Sequence, residues 1–321
     1  MTLRWPRWVA IALGAVTWAS VIASERAAAA PVAFERHRVK VGRHSWPVLR
    51  LRADLADPMT RVAVRFAYGT GAPLRRREAF SGMTEAAHAA ALVNGTFFSI
   101  RTAETMGTLV SQGRVLQHRD WDDRGTALTI GPEGRARIAT LRLDGRPDHR
   151  RARFSITSGP RLLRDGKVWL QPRREGFKDP NLFGRHPRVA LGLARGGTEL
   201  IVACFPSPMT LGQSAEAMRA LGAHDALNLD GGPSVGMAYR GTILAAPRWG
   251  LTNALVLYDS RYPAPGDLEG VRIALADQAQ GAGKDPADPV VRATVSSEAP
   301  RRSRAPEACH GRLGRTARSG R

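Results

Sequence analysis

Lysine is scarce in this chain. Of its 48 basic residues only Lys40, Lys167, Lys178 and Lys284 are lysines, and arginine makes up the rest. Codon composition alone can produce an arginine-rich, alanine-rich sequence, so the formal net charge of +20 does not by itself demand a polyanion. It does favour an anionic partner over a cationic one. Aromatic residues are few, at 6%, and the arginines are spread over many segments instead of grouped. Both features count against a nucleic-acid binder, which stacks bases on aromatic rings beside clustered cations. Only two cysteines are present: Cys204 within the apolar run ELIVACF, and Cys309 in a polar tail. That excludes a disulfide framework and any cysteine-based metal spacing, and Cys204 reads as a buried structural thiol. Long hydrophobic runs are missing as well. The uncharged stretch from Trp8 to Ile22 is short against the roughly 20 residues a membrane-spanning helix needs.

That stretch follows a basic start, MTLRWPR, and leads into the small residues of ERAAAAPVA, the pattern of an export signal. Residues 1–30 are therefore expected to be a signal peptide, with an uncleaved anchor as the alternative, and the protein to be exported, periplasmic or extracellular. With 43% hydrophobic and 24% charged residues, the rest is expected to fold. Residues 31–262 read as one globular domain. Residues 263–321 dissolve into Pro, Ala, Gly and Arg and read as a basic, disordered tail.

Within the domain, RHRVKVGRHSWPVLRLRADL and RVAVRFAYG alternate polar and apolar residues as strands do. Hairpins are predicted at Gln112-Gly113, at Pro132 to Gly134 and at Asp165-Gly166. Another strand pair is predicted around the glycines of RVALGLARGGTELIVACF. AFSGMTEAAHAA is a short helix. TLGQSAEAMRALG is the clearest one, with capping-box spacing between Thr210 and Gln213 and a stop at Gly222. The following DALNLD is a strand with Leu227 and Leu229 on one face and Asn228 and Asp230 on the other. The expected class is α+β, a mixed and largely antiparallel sheet with a few packed helices.

Unusual polar residues gather between strands at VNGTFF, AETMGTLVSQGR, GRHPRVALG and NLDGG. Singly, each has an ordinary explanation: Asn94-Gly95 as a turn, Asp230 as a turn-starter, Arg188 as a solvated charge, His186 as a loop histidine, Glu104 as a loop cap. HRDWDDRG, with His118, Asp120, Asp122 and Asp123, reads as a solvated turn lacking EF-hand spacing. No metal and no cofactor is expected.

In combination, the chain from about Pro31 to Tyr262 resembles the phosphodiester glycosidase family. The matching elements, in order, are Asn94-Gly95-Thr96-Phe97-Phe98; Met106-Gly107-Thr108-Leu109-Val110 with Gly113-Arg114; Ser158-Gly159-Pro160 through Asp165-Gly166; Arg185-His186-Pro187-Arg188 to Gly192; and Gly222-Ala223-His224-Asp225-Ala226 to Gly232 and Ser234. Two positions depart from the pattern. Thr96 and Pro233 stand where glycine is usual, and Pro233 removes an N–H donor.

The resemblance implies hydrolysis of a sugar-1-phosphodiester, between the anomeric carbon and the phosphate oxygen. Such a reaction passes through an oxocarbenium-like state, which a carboxylate stabilises, while an arginine fork suits the phosphate. On this footing Asp230 is the expected nucleophile or base, and Glu104 the second carboxylate with Asp225 behind it. Arg188 and His186 bind phosphate, Asn94 with Gly95 orients a hydroxyl or water, and Gly231 and Gly232 allow close approach. The partner is thus a sugar-1-phosphodiester, with no nucleic acid involved. The rival reading is a non-catalytic envelope module that binds anionic glycan or a phosphate-containing polymer, for which the charge and Pro233 speak.

Overall fold

The computed structural model describes residues 30–69, 75–117 and 123–266. The expected signal peptide, nearly all of the expected tail with Cys309, and His118, Asp120 and Asp122 lie outside the described residues. In chain order the elements are β1 (Val32–Val41), β2 (His44–Asp54), β3 (Arg61–Phe66), α1 (Phe80–Ala87), β4 (Ala91–Asn94), β5 (Leu109–Ser111), β6 (Arg114–Gln117), β7 (Thr126–Ile130) and β8 (Ala136–Thr140). There follow α2 (Leu141–Asp144), β9 (Phe154–Ser158), β10 (Arg161–Arg164), β11 (Lys167–Val168), β12 (His186–Leu193), β13 (Glu199–Met209), α3 (Leu211–Ala220), β14 (Asp225–Asn228), β15 (Met237–Tyr239), β16 (Thr242–Ala245) and β17 (Asn253–Tyr258).

The strands form three sheets. The first runs β1-β2-β13-β12-β14-β10-β11, the second β16-β15-β4-β17-β3, and the third β6-β5-β9-β7-β8. Every pairing among the described residues is antiparallel, which corrects the expectation of a mixed sheet. A parallel pair needs a long crossover. Here six of the fourteen neighbouring pairs are instead joined by short turns, among them the four places where turns are predicted. The helices are short, so the architecture is largely β with helices as covers.

Alternation along each strand decides what is buried. One face of every sheet contributes to a common core: Leu51, Leu191, Val202 and Leu227 from the first, Val64, Val93 and Leu255 from the second, Leu109, Leu128 and Ile156 from the third. The opposite face of the first sheet is covered by α3 through Leu211, Ala215 and Met218. That helix begins with the reciprocal capping box of Thr210 and Gln213 and ends before Gly222 at φ +94°. The outer face of the second sheet is covered by α1 through Phe80, Met83 and Ala87. Cys204 is fully buried in β13, and burial pushes its thiol up to about 12.

Candidate functional site

The site is built where the first and second sheets meet. On β14, Leu227 and Leu229 face the common core, so Asn228 and Asp230 face the α3 side. β14 pairs with β12 at Ala190↔Asn228, and the Leu229 N–H donates to Val189 O at 2.8 Å. Continued by one residue, this register sets Asp230 across from Arg188 on the same face. The chain then leaves the sheet. Gly231 and Gly232 form the corner, with Gly232 at φ +59°, and residues 232–234 make a single 3-10 turn. A Cβ on Gly231 would sit 3.0 Å from Pro187 O, so the glycine lets the corner close on β12. Pro233 occupies the first turn of that 3-10 segment, where a missing N–H leaves no helical bond unmade.

The asparagine-glycine segment lies directly against this corner. The Asn94 side-chain NH2 donates to Asp230 O at 2.8 Å, its carbonyl accepts from Gly236 N at 3.0 Å, and Asp230 N–H donates to Gly95 O at 3.3 Å. Asn94 is therefore a brace for the Asp230 corner, with both ends of its amide committed to backbone. Gly95 is required by packing: a Cβ there would stand 1.9 Å from Asn253 Oδ1, which accepts from Thr96 N.

The Asp230 carboxylate accepts from Gly231 N at 2.9 Å. Burial pushes its pKa up to about 6, and the polar neighbours Ser234 and Gly231 N–H only partly oppose that. Arg188 is buried, at 2% exposure. Its guanidinium donates to the carbonyls of Met209, Leu182 and Gly184, and among the described residues it forms no ion pair with a carboxylate. Burial without a countercharge lowers its pKa to about 10, so it remains a cation at neutral pH. His186 opens the same strand face two residues earlier and is half-buried.

The two other expected carboxylates each have an arginine partner. Glu104 is partly exposed on the loop that follows Gly95 and pairs with Arg75 at 3.7 Å. Asp225 begins β14, five residues before Asp230. At about 3.3 Å per residue the two lie roughly 16 Å apart, beyond the ~5–9.5 Å that separates paired glycosidase carboxylates. Asp225 belongs instead to an ion-pair network with Arg161 at 2.6 Å and His224 at 2.9 Å, beside a cavity of about 340 Å³. Its burial would raise the pKa, but the bonds from His224 and Arg161 hold it below the ordinary value. Asp225 is thus brought away from the site, not into it. The ligand atoms of Asp165, His224 and Asp225 lie within 4.8 Å of one another, but Arg161 already neutralises that corner. Asp123 of the acidic loop pairs with Arg146.

Three contributors were not singled out from sequence. Asn253 locks the Gly95 turn. Trp249 donates its indole N–H to Ser234 Oγ at 2.9 Å. Glu175, fully buried, accepts from Thr126 Oγ1 at 2.7 Å and from Arg161 N at 3.0 Å, and burial pushes its carboxyl up to about 7. A Cβ on Gly159 would lie 3.4 Å from its Oε2, and Gly159 N–H donates to Asn228 O, so Glu175 underlies the strand that leads to Asp230. In sequence Glu175 stands in the charged loop RREGFK, which carries no sign of burial.

Comparison with known proteins places this arrangement. A family profile described as phosphodiester glycosidase matches residues 87–258, a span that includes Asn94, Arg188 and Asp230. Among curated proteins no sequence matches significantly. Among solved structures, a hypothetical protein from Synechocystis is similar with a TM-score of 0.56 at 16% identity, over 71% of this chain and 62% of that one. The chain thus spans less than two thirds of that protein's length. The catalytic domain of zebrafish N-acetylglucosamine-1-phosphodiester alpha-N-acetylglucosaminidase, auto-inhibited by its pro-peptide, is similar with a TM-score of 0.57 at 16% identity, over 71% of this chain and 83% of that one.

Proposed function

The chain belongs to the phosphodiester glycosidase family, and from that premise we propose that it hydrolyses the glycosidic bond of a sugar-1-phosphodiester in envelope or extracellular glycans. The observation that carries this reading is the pairing of two oppositely charged groups that do not neutralise each other. Asp230 has its pKa raised by burial, and Arg188, across from it on the neighbouring strand, has no carboxylate partner among the described residues.

In the reaction the bond between C1 and the phosphate oxygen breaks, the phosphate monoester leaves with the electron pair, and the oxygen of water ends on C1. Asp230, as nucleophile or base, stabilises the positive charge on the ring. Arg188, with His186 beside it, receives the phosphate. Gly231 and Gly232 leave the corner open to the sugar, and Asn94 with Gly95 fixes the height of the carboxylate. Glu104 is the second carboxylate on this reading. The protein works after export, in the periplasm or outside the cell.

Purified protein incubated with a sugar-1-phosphodiester should release free sugar, and the Asp230→Asn variant should not. Retention of the compound without release would instead identify a binding module. Release by Asp230→Asn at the parent rate would remove Asp230 from the reaction.

A further inference from the structure

We propose that the β1–β2 hairpin carries a docking groove for an anionic glycan chain, separate from the Asp230 corner. β1 is the edge strand of the first sheet and β16 the edge strand of the second. Between them lies a groove of about 370 Å³, lined by Arg36, His37, Arg38, Pro47, Pro206 and Leu244 among others. Its character follows from alternation along β1. Phe34 packs against the common core, so Arg36, Arg38 and Lys40, in step with it, lie on the same face. All three are exposed, past the point where the core covers that face.

The groove is cationic and is not neutralised from within. Glu35, the one acid of β1, is taken by Arg50 directly across the ladder, and Arg36, Arg38 and Lys40 form no ion pair among the described residues. Arg38 is held in place: its Nε donates to Ser45 Oγ at 3.1 Å and one Nη to Ser45 O at 2.7 Å, which leaves the other Nη for a ligand. Arg36 lies over the Phe34 ring at 5.8 Å. Guanidinium groups fixed in this way lose little freedom on binding and suit phosphate oxygens. Cations on an edge strand also discourage pairing with another chain. That use needs neither anchored guanidinium groups nor an apolar floor, and here Pro47, Pro206 and Leu244 supply such a floor for the C–H face of a sugar ring. A membrane surface fits less well, since β1 and β2 expose no large apolar side chain. So does a nucleic acid, since Trp46 is buried under Arg185 and no exposed ring of the hairpin is left for stacking. In the order β14-β12-β13-β2-β1, the groove strand stands roughly 19 Å from the strand that leads to Asp230, at ~4.8 Å per strand. A chain of repeating units spans that distance and a single sugar-1-phosphodiester does not. The link to catalysis rests on the reaction proposed above, whereas binding in the groove does not.

Calorimetric titration of the full chain with phosphorylated dextran, with unmodified dextran as the uncharged control, tests the groove. Arg36→Ala/Arg38→Ala should bind the phosphorylated polymer about tenfold more weakly than the parent, and the gap should close at high salt. Residues 263–321 are the same in both proteins, so their arginines cancel in the comparison. Arg36→Lys/Arg38→Lys keeps the charge but loses the forks, and should bind about threefold more weakly. Unfolding midpoints, and release of sugar from a small sugar-1-phosphodiester, should match the parent's in both variants. Parent affinity in the alanine variant would overturn the groove. Parent affinity in the lysine variant would reduce it to a guarded edge and overturn it as well. An equal loss of binding to phosphatidylglycerol vesicles would make the surface a membrane site and overturn the glycan assignment. If the parent releases no sugar yet the affinity gap is present, the proposed function fails and the groove stands. Sugar release with no affinity gap leaves the function and removes the groove.

Discussion

Replacing Asp230 by asparagine separates the cost of this residue from its use. Its pKa moves from 3.8 to about 6, which corresponds to roughly 3 kcal/mol of penalty on the ionised form. Between those values the folded protein holds a proton that the unfolded chain has released. Stability therefore falls as pH rises through this window: the contribution is full below about pH 4 and lost above about pH 6. Asparagine keeps an oxygen to accept from Gly231 N, and it has no charge to desolvate. The expected outcome is an Asp230→Asn protein close to the parent in stability at pH 4 and more stable by about 1–3 kcal/mol at pH 7.5. Urea unfolding of both proteins at pH 4, 5, 6 and 7.5 measures this, because titrations common to both cancel in the difference. A difference that stays flat with pH would refute the claim that Asp230 is strained by burial. The parent's kcat/KM on a sugar-1-phosphodiester should meanwhile fall as the pH drops below about 6, where the carboxylate takes up a proton.

Gly95→Ala places a methyl 1.9 Å from Asn253 Oδ1. It should cost about 3 kcal/mol or more in urea unfolding, by breaking the turn that braces Asp230. Glu175→Gln should remove a second downward stability slope, between pH 4.5 and about 7, worth roughly 3 kcal/mol across the window. Arg188→Lys keeps the charge but cannot hold three carbonyls with one fork, so KM should rise roughly tenfold with kcat less affected. Mass mapping after iodoacetamide at pH 8 should find Cys204 unmodified until the protein is denatured.

What the sequence made legible is what depends on nearest neighbours. The turns at Gln112-Gly113 and Asp165-Gly166, the capped helix after Thr210 and the outward face of Asn228 and Asp230 all follow from spacing and turn chemistry. The contact of Asn94-Gly95 with the Asp230 corner, across 136 residues, was reached only through the ordered family resemblance. Asp225 opens the same strand. It is an odd number of residues from Asp230, so on an alternating strand it points to the other face. Glu175 and Trp249 were not legible, because their partners Thr126, Arg161 and Ser234 arrive from other parts of the three-sheet assembly. The absence of parallel pairing among the described residues was equally hidden, since the order of strands in a sheet is a long-range property.

The two aspartates at and just beyond the ends of one short strand differ in what their arginine neighbours leave unpaired. Asp225 and Asp230 both sit beside an arginine on a neighbouring strand of the same sheet. At the first end Arg161 turns its guanidinium onto Asp225 at 2.6 Å, the pair cancels, and the acid is held below its ordinary range. At the second end three backbone carbonyls draw the Arg188 guanidinium away from Asp230, and the acid is pushed up to about 6. Burial is present at both ends, so desolvation alone does not separate them. The difference is what the guanidinium is bonded to. A cation satisfied by neutral carbonyls keeps its full charge for an incoming anion, and a carboxylate left unpaired keeps its full charge for a developing cation. A substrate with a phosphate on one side of the scissile bond and a sugar C1 on the other matches those two unspent charges, whereas the Asp225 network offers neither.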